Sequence, residues 1–181
     1  IIERESVMSS IASLKIAVSN NESNINHFFA STVDTEPQDI IFDVDGTLAD
    51  VSHRQHFVKD SPKDWDAFYG AMVNDRPNPP VVMIAHLLKA AGHRIIIATG
   101  RPLRYQMVTR AFLDDIAVSY DAIYFRKDKD YRKDTQVKEH MLLKMRQDGF
   151  DPTIVFDDRK SVVEMWRSRE LFVFQVDDGD F

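Results

Sequence analysis

Five short apolar runs punctuate the chain from Asp39 onward: DIIFDV, RIIIATG, AIYFRK, TIVFDD and LFVFQV. Each is rich in Ile, Val and Phe and apolar nearly throughout. Strands buried on both faces of a parallel sheet have this character, because neither side of the pleat meets water. Between the runs lie PPVVMIAHLLKAAG, RPLRYQMVTRAFLDDI, TQVKEHMLLKMRQDG and DRKSVVEMWRSRE. Their apolar residues recur at helical spacing, and two of them close on a Gly where a helix C-cap is expected. Strand and helix in alternation predict an α/β fold: a three-layer, Rossmann-like parallel sheet with helices on both faces and right-handed crossovers. Ligands of such sheets sit beyond the carboxyl ends of the strands, so the pattern fixes where chemistry is to be sought.

Two stretches depart from this alternation. Residues 51–78 carry SPKDWDAFYGAMVNDRP and read as a small helical cap insert over that edge. Residues 1–38 hold spaced apolar positions (Ile11, Leu14, Val18) and then a polar, turn-rich stretch. A packing helix plus linker is the expectation there, with a partner-docking element as the alternative. The numbered start is Ile1 rather than Met, so it need not be the start of translation.

Composition narrows the classes. A chain of 181 residues holds one ordinary domain with a real core, here residues 39–181. Its 23 basic against 29 acidic residues argue against non-specific coating of nucleic acid, while leaving room for a local basic groove. The absence of cysteine removes disulfides, thiolate catalysis and Cys-type zinc sites, and fits a reducing compartment. No apolar run reaches the roughly 18 residues that span a bilayer, and no basic-then-apolar order marks a secretory signal. No membrane association is expected, and cytoplasmic is the default location.

The strand ends carry the candidate chemistry. The first run delivers Asp43 and Asp45, the second Thr99, Gly100 and Arg101, and the fourth Asp157 and Asp158. One acidic pair after a strand is commonly a turn or a helix cap. Two acidic clusters at the ends of one sheet repel each other unless a cation or a basic side chain lies among them. Oxygen-only ligands with an open face suit magnesium, which keeps several waters and accepts a phosphate oxygen.

DVDGT, ATGR, Lys138 at the start of a later helix, and FDD resemble in order the four motifs of the haloacid dehalogenase-like phosphohydrolases. The resemblance covers residues 39–181. It implies a Mg2+-dependent phosphomonoesterase in which Asp43 attacks phosphorus and forms an aspartyl-phosphate. Asp45 would act as acid and then base. Asp43, the Asp45 backbone carbonyl, Asp157 and Asp158 would hold or place the metal. Thr99, with Gly100 and Thr47 in the motif loops, would bind the phosphoryl group. Lys138 would supply a point charge to the same oxygens. Gly46 would allow a turn that turns backbone amides toward the phosphate. Dehalogenases do not need the second aspartate and transport ATPases carry a lysine beside the nucleophile, so Asp45 favours phosphomonoester hydrolysis, ahead of phosphomutase activity.

Within that superfamily the chain looks most like the 3′-phosphatase domain of phage-type polynucleotide kinase/phosphatase. RKDTQVKE, with Asp134 four residues before Lys138, DDRKSVVEMWR and the terminal GDF carry this likeness. It implies removal of a 3′-phosphate from DNA or RNA ends in repair, with Arg54 and Arg101 as guanidinium forks at the mouth of the site. No Gly-rich P-loop ending in Gly-Lys-Ser/Thr occurs in these residues, so 5′-phosphorylation would fall to a separate kinase or to a kinase domain upstream of Ile1, with a ligase as a further partner. A phosphatase of free nucleotides or another small phosphomonoester is the alternative, and a non-catalytic interaction module on the same fold is a more distant one; the oligomeric state is open under each. Trp65, Phe68 and Tyr69 read as core at helical spacing, or else as a base-stacking surface. FRKDKDYRK (residues 125–133) reads as a solvated loop or as a basic rim. His53 and His56 read as surface or cap residues.

Overall fold

A computed structural model describes residues 36–179. The expected N-terminal helix and linker, and the last two residues of the GDF ending, lie outside them. The five apolar runs form one parallel sheet of strands β1 (Asp39–Phe42), β4 (Arg94–Pro102), β5 (Ala122–Arg126), β6 (Pro152–Arg159) and β7 (Phe172–Gly179). Their order is β5-β4-β1-β6-β7, and every pairing in this sheet is parallel. After β1 the chain crosses to β4 on one side, and after β5 it returns to β6 on the other. The switch point, and hence the crevice, falls at the carboxyl end of β1.

The side-chain period of two splits each central strand between two cores. Ile40, Phe42, Ile95 and Ile97 face one layer, where α3 (Pro79–Ala90) and α4 (Gln106–Asp115) add Val81, Val82, Ala85 and Leu113. Ile41, Ile96, Ala98 and Val155 face the other, against α5 (Asp134–Gln147) and α6 (Lys160–Ser168) with Met141, Leu142, Met145, Val163 and Trp166. Proline at the start of α3 suits a position whose N–H would have no helical partner. At the opposite edge the Asp39 carboxylate receives Arg94 Nε at 2.5 Å and the Asp151 N–H at 2.6 Å, pinning β1 to its two neighbours.

The stretch between β1 and α3 turns back on itself. β2 (Ala49–Asp50) pairs antiparallel with β3 (Arg76–Pro77), and this two-residue ladder closes a loop. Inside the loop lie two short 3-10 turns and helices α1 (His56–Lys59) and α2 (Trp65–Gly70). Asp64 caps α2 by accepting the Ala67 N–H at 2.9 Å. Among the described residues no helix is long and apolar enough to cross a membrane.

Candidate active site

The carboxyl ends of β1 and β6 bring Asp43, Asp157 and Asp158 together. One oxygen from each lies within 4.8 Å of the others, and all three residues are buried. Lys138, on the first turns of α5, reaches into this cluster from the flank. Its Nζ is 2.8 Å from Asp43 Oδ1 and 2.8 Å from Asp157 Oδ2, and 4.0 Å from Asp134 one turn earlier. Burial alone would neutralise the lysine, but Asp157, Asp43 and Asp134 outweigh it and raise its pKa above the ordinary value. Trp166 Nε1 donates to Asp157 Oδ2 at 3.0 Å, so the α6 indole fixes that carboxylate.

A single ammonium does not balance three carboxylates. Burial, together with Asp157 and Asp158, raises the Asp43 carboxyl well above its usual range against the pull of Lys138. Burial and then Asp157 push Asp158 up to about 7. The cluster is thus short of positive charge, and its donors are all oxygen. That is the fit expected of a divalent cation such as Mg2+. Asp158 is also held where no side chain can intrude: a Cβ at Gly46, whose φ is +87°, or at Gly179 would collide with its carboxylate.

Asp45, two residues from Asp43 and past the end of β1, does not join this cluster. Its carboxylate accepts Arg101 Nε at 2.8 Å and Nη2 at 2.5 Å, and Arg54 Nη2 at 2.7 Å. Burial raises its pKa, but Arg101 and Arg54 more than offset that and hold it at about 2. Both arginines also grip Asp75, with Arg54 Nε at 2.6 Å and Arg101 Nη2 at 2.6 Å. Arg54, Arg101 and the Asp75 side chain are fully buried. The forks expected at the mouth of the site are therefore corrected: they form an internal clamp that orients Asp45. Buried guanidiniums need carboxylates, and Asp75 is the residue that sequence reasoning missed.

Other expected contacts are also redistributed. The Gly46 N–H donates to the Ala49 carbonyl at 2.9 Å and the Thr47 N–H to Val44 at 3.2 Å, so these two amides close the loop rather than face a phosphate. The Thr47 hydroxyl is buried without a hydrogen-bond partner, and Thr47 does not line the cavity. The Thr99 hydroxyl accepts the Arg101 N–H at 3.2 Å. Asp134 accepts from Arg126 Nη2 at 2.8 Å and lies so close to Gly100 that a Cβ there would crowd it at 2.9 Å. Arg126 also donates to the carbonyls of Gly100, Asp130 and Arg132. The first arginine of FRKDKDYRK thus ties its loop to the site, while Tyr131 is almost fully exposed.

A cavity of about 50 Å³ opens above the carboxylates. Asp43, Asp45, Asp158, Lys138, Gly100, Asp134, Arg126 and Arg159 give it a polar lining, and Trp65, Phe68 and Tyr69 of α2 an aromatic one. Of these aromatics Phe68 is buried, whereas Trp65 is 40% exposed. The core expectation holds for Phe68 alone. His53 meets Asp75 at 3.0 Å.

Residues 37–181 match the family model of the polynucleotide kinase PNKP phosphatase domain. Among solved structures, the chain is similar to one in the Pnkp1/Rnl/Hen1 complex, with 33% identity and a TM-score of 0.68 over 82% of this chain and 48% of that one. A second, in the Pnkp1/Rnl/Hen1 RNA repair complex, gives 34% identity and a TM-score of 0.67 over 80% and 44%. This chain therefore spans less than half the length of those relatives. The class C acid phosphatase of Bacillus anthracis shares the fold at 16% identity and a TM-score of 0.55, over 87% of this chain and 76% of that one. The match over almost the whole described domain establishes that this chain belongs to the phosphatase-domain family of polynucleotide kinase, within the haloacid dehalogenase-like phosphohydrolases.

Proposed function

We propose that this phosphatase removes the 3′-phosphate from nucleic-acid ends through an aspartyl-phosphate on Asp43. The observation that carries the chemistry is the division of labour between two aspartates one residue apart. Asp43 is held by Lys138 beside Asp157 and Asp158, and Asp45, which lines the same cavity, is held apart from that cluster by two arginines.

Asp43 Oδ attacks phosphorus, and the P–O bond to the leaving alcohol breaks. Lys138 keeps Asp43 oriented and its Nζ draws the phosphoryl oxygens toward it. A Mg2+ held by Asp43, Asp157 and Asp158, with the Asp45 backbone carbonyl, would supply neutralising charge to those oxygens. Asp45 begins ionised, since Arg101 and Arg54 hold it at about 2. The proton that reaches the leaving oxygen is then drawn through Asp45 from the phosphomonoester itself, whose second pKa is about 6. In the second half-reaction Asp45 takes a proton from the water that attacks the aspartyl-phosphate, releasing phosphate and restoring Asp43. Gly100 lines the cavity that would receive the phosphoryl group, Thr99 supports that loop through the Arg101 N–H, and the Arg54–Asp75–Arg101 clamp keeps Asp45 in line.

The substrate reading is supported by the family match and by the RNA repair complex in which one relative was solved. A separate kinase or ligase partner is proposed on the same ground. The test compares a 3′-phosphorylated oligonucleotide with the matching 3′-mononucleotide in Mg2+. A higher kcat/KM on the oligonucleotide is expected. Equal or better turnover of the mononucleotide would point instead to a phosphatase of free nucleotides.

A further inference from the structure

One wall of the cavity has no part in the phosphoryl chemistry. Trp65 and Tyr69, four residues apart on α2, stack with centroids 5.9 Å apart and 26° between planes. Tyr69 in turn stacks on Tyr105, just beyond the carboxyl end of β4, at 5.1 Å and 29°. Three rings thus form a ladder from the insert to the sheet. Phe68 braces two of them edge-on, at 5.7 Å from Trp65 and 5.4 Å from Tyr69, and is itself fixed by the Arg54 guanidinium 4.1 Å from its centroid. The ladder is therefore anchored to the clamp that orients Asp45.

We propose that this ladder is the platform for the nucleobase of the leaving nucleoside, with Trp65 as its outer face. The proposal rests on the substrate reading above and adds where the substrate's base lies. Three observations carry it. The cavity of about 50 Å³ takes a phosphoryl group but leaves a nucleoside outside, against the rim. The leaving oxygen must lie beside Asp45, and Asp45 and Tyr69 line the same cavity, near enough for the Asp45 charge to help raise the Tyr69 hydroxyl pKa after burial. The leaving alcohol therefore exits along α2. Finally, Trp65 lines the cavity yet leaves 40% of its surface in water, an apolar face that a base would cover. Lys63 stands 5.5 Å from the Trp65 ring and Arg104 4.8 Å from the Tyr105 ring, giving each end of the ladder a cation beside which a phosphodiester can run. Arg104 is also within 3.7 Å of Asp66, so it is only partly committed to the ring. Stacking of this kind accepts any base, since each presents a π-face.

The experiment compares a 3′-phosphorylated trinucleotide with one whose terminal residue is abasic, in wild type, Trp65→Leu and Trp65→Phe. Wild type should prefer the base-bearing end. Trp65→Leu should shrink that preference in kcat/KM by roughly 5- to 100-fold, chiefly through KM, and Trp65→Phe should restore most of it. A second readout avoids catalysis. In Asp43→Asn, the base-bearing trinucleotide should quench the emission of Trp65, and the quench should vanish in the Asp43→Asn, Trp65→Leu double variant. Trp166 is fully buried and remains as an internal reference. An unchanged preference in Trp65→Leu, or no quench in Asp43→Asn, overturns the platform. Turnover of glycerol phosphate with no turnover of either trinucleotide overturns the substrate reading, and the platform with it.

Discussion

Replacing Asp75 by asparagine tests whether the clamp around Asp45 is structural and functional at once. The Asp75 carboxylate is fully buried and receives Arg54 Nε at 2.6 Å, Arg54 Nη2 at 2.7 Å and Arg101 Nη2 at 2.6 Å. Asparagine keeps the shape of the side chain but loses the charge and half of the acceptor capacity. Two buried guanidiniums then face Asp45 with one carboxylate fewer. Removing one partner of a buried ion pair costs about 3–5 kcal/mol, because the remaining charge stays desolvated. Asp45 still neutralises part of the cluster, which places the cost near the lower end, about 3 kcal/mol. For a domain of this size each kcal/mol shifts Tm by about 2–4 °C, so Tm should fall by about 6–12 °C. Activity should suffer separately, since Asp45 loses one of the forces that aim it. A displacement of about 1 Å is enough to cost about 100-fold in kcat. Thermal unfolding by circular dichroism and phosphate release at a temperature where the variant is folded measure the two effects. A Tm within about 1 °C of wild type together with normal kcat would refute the clamp.

The carboxyl groups give further expectations. Asp45 is depressed to about 2 in the folded protein, so its ion pairs contribute about 2 kcal/mol at pH values above about 4, a contribution lost as pH falls through 2. Tm measured against pH should therefore drop more steeply on the acid side in wild type than in Asp45→Asn. Asp158 is raised to about 7, so its burial costs little below about pH 4, the cost grows as pH rises from about 4 to 7, and it is complete above 7. Mg2+ should accordingly raise Tm more at pH 8 than at pH 5, and a chelator should cancel the difference. Gly179→Ala places a methyl group against the Asp158 carboxylate, and calorimetry should show weaker Mg2+ binding in a protein that still folds.

The fold was legible because its signal is long-range in sequence but simple in kind. β1, β4 and β6 are buried on both faces or nearly so, and such strands announce themselves as unbroken apolar runs. The edge strands β5 and β7 carry similar apolar runs but are only partly buried. α3 to α6 each bury one stripe, and the stripe has a period. The carboxylates were legible as well, because strand ends in this topology converge and Asp43, Asp157 and Asp158 sit at two of them. What escaped depended on contacts without periodicity. Asp75 reaches Arg54 and Arg101 only because a two-residue ladder, Ala49 with Pro77 and Asp50 with Arg76, folds the insert back. A ladder that short leaves no pattern to read. Without Asp75 in view, two arginines near a phosphatase motif look like substrate ligands, whereas with it they are a buried ion cluster. Trp166 is fully buried on α6, and its indole N–H is spent on Asp157, a contact that helical spacing does not show. Trp65, Phe68 and Tyr69 share a helical face by spacing, which does not tell the buried Phe68 ring from the exposed Trp65 ring. The basic run at 125–133 hides the same ambiguity, since Arg126 serves as a strut rather than as surface charge.

The central claim is that Asp43 carries the phosphoryl group between the two half-reactions. Acid quenching of the enzyme during turnover, followed by borohydride reduction and peptide mass spectrometry, reads this directly, because reduction converts an aspartyl-phosphate to homoserine. Homoserine at position 43, absent without substrate and absent in Asp43→Asn, is the predicted result. Reduction at another residue, or undiminished turnover by Asp43→Asn, would contradict it.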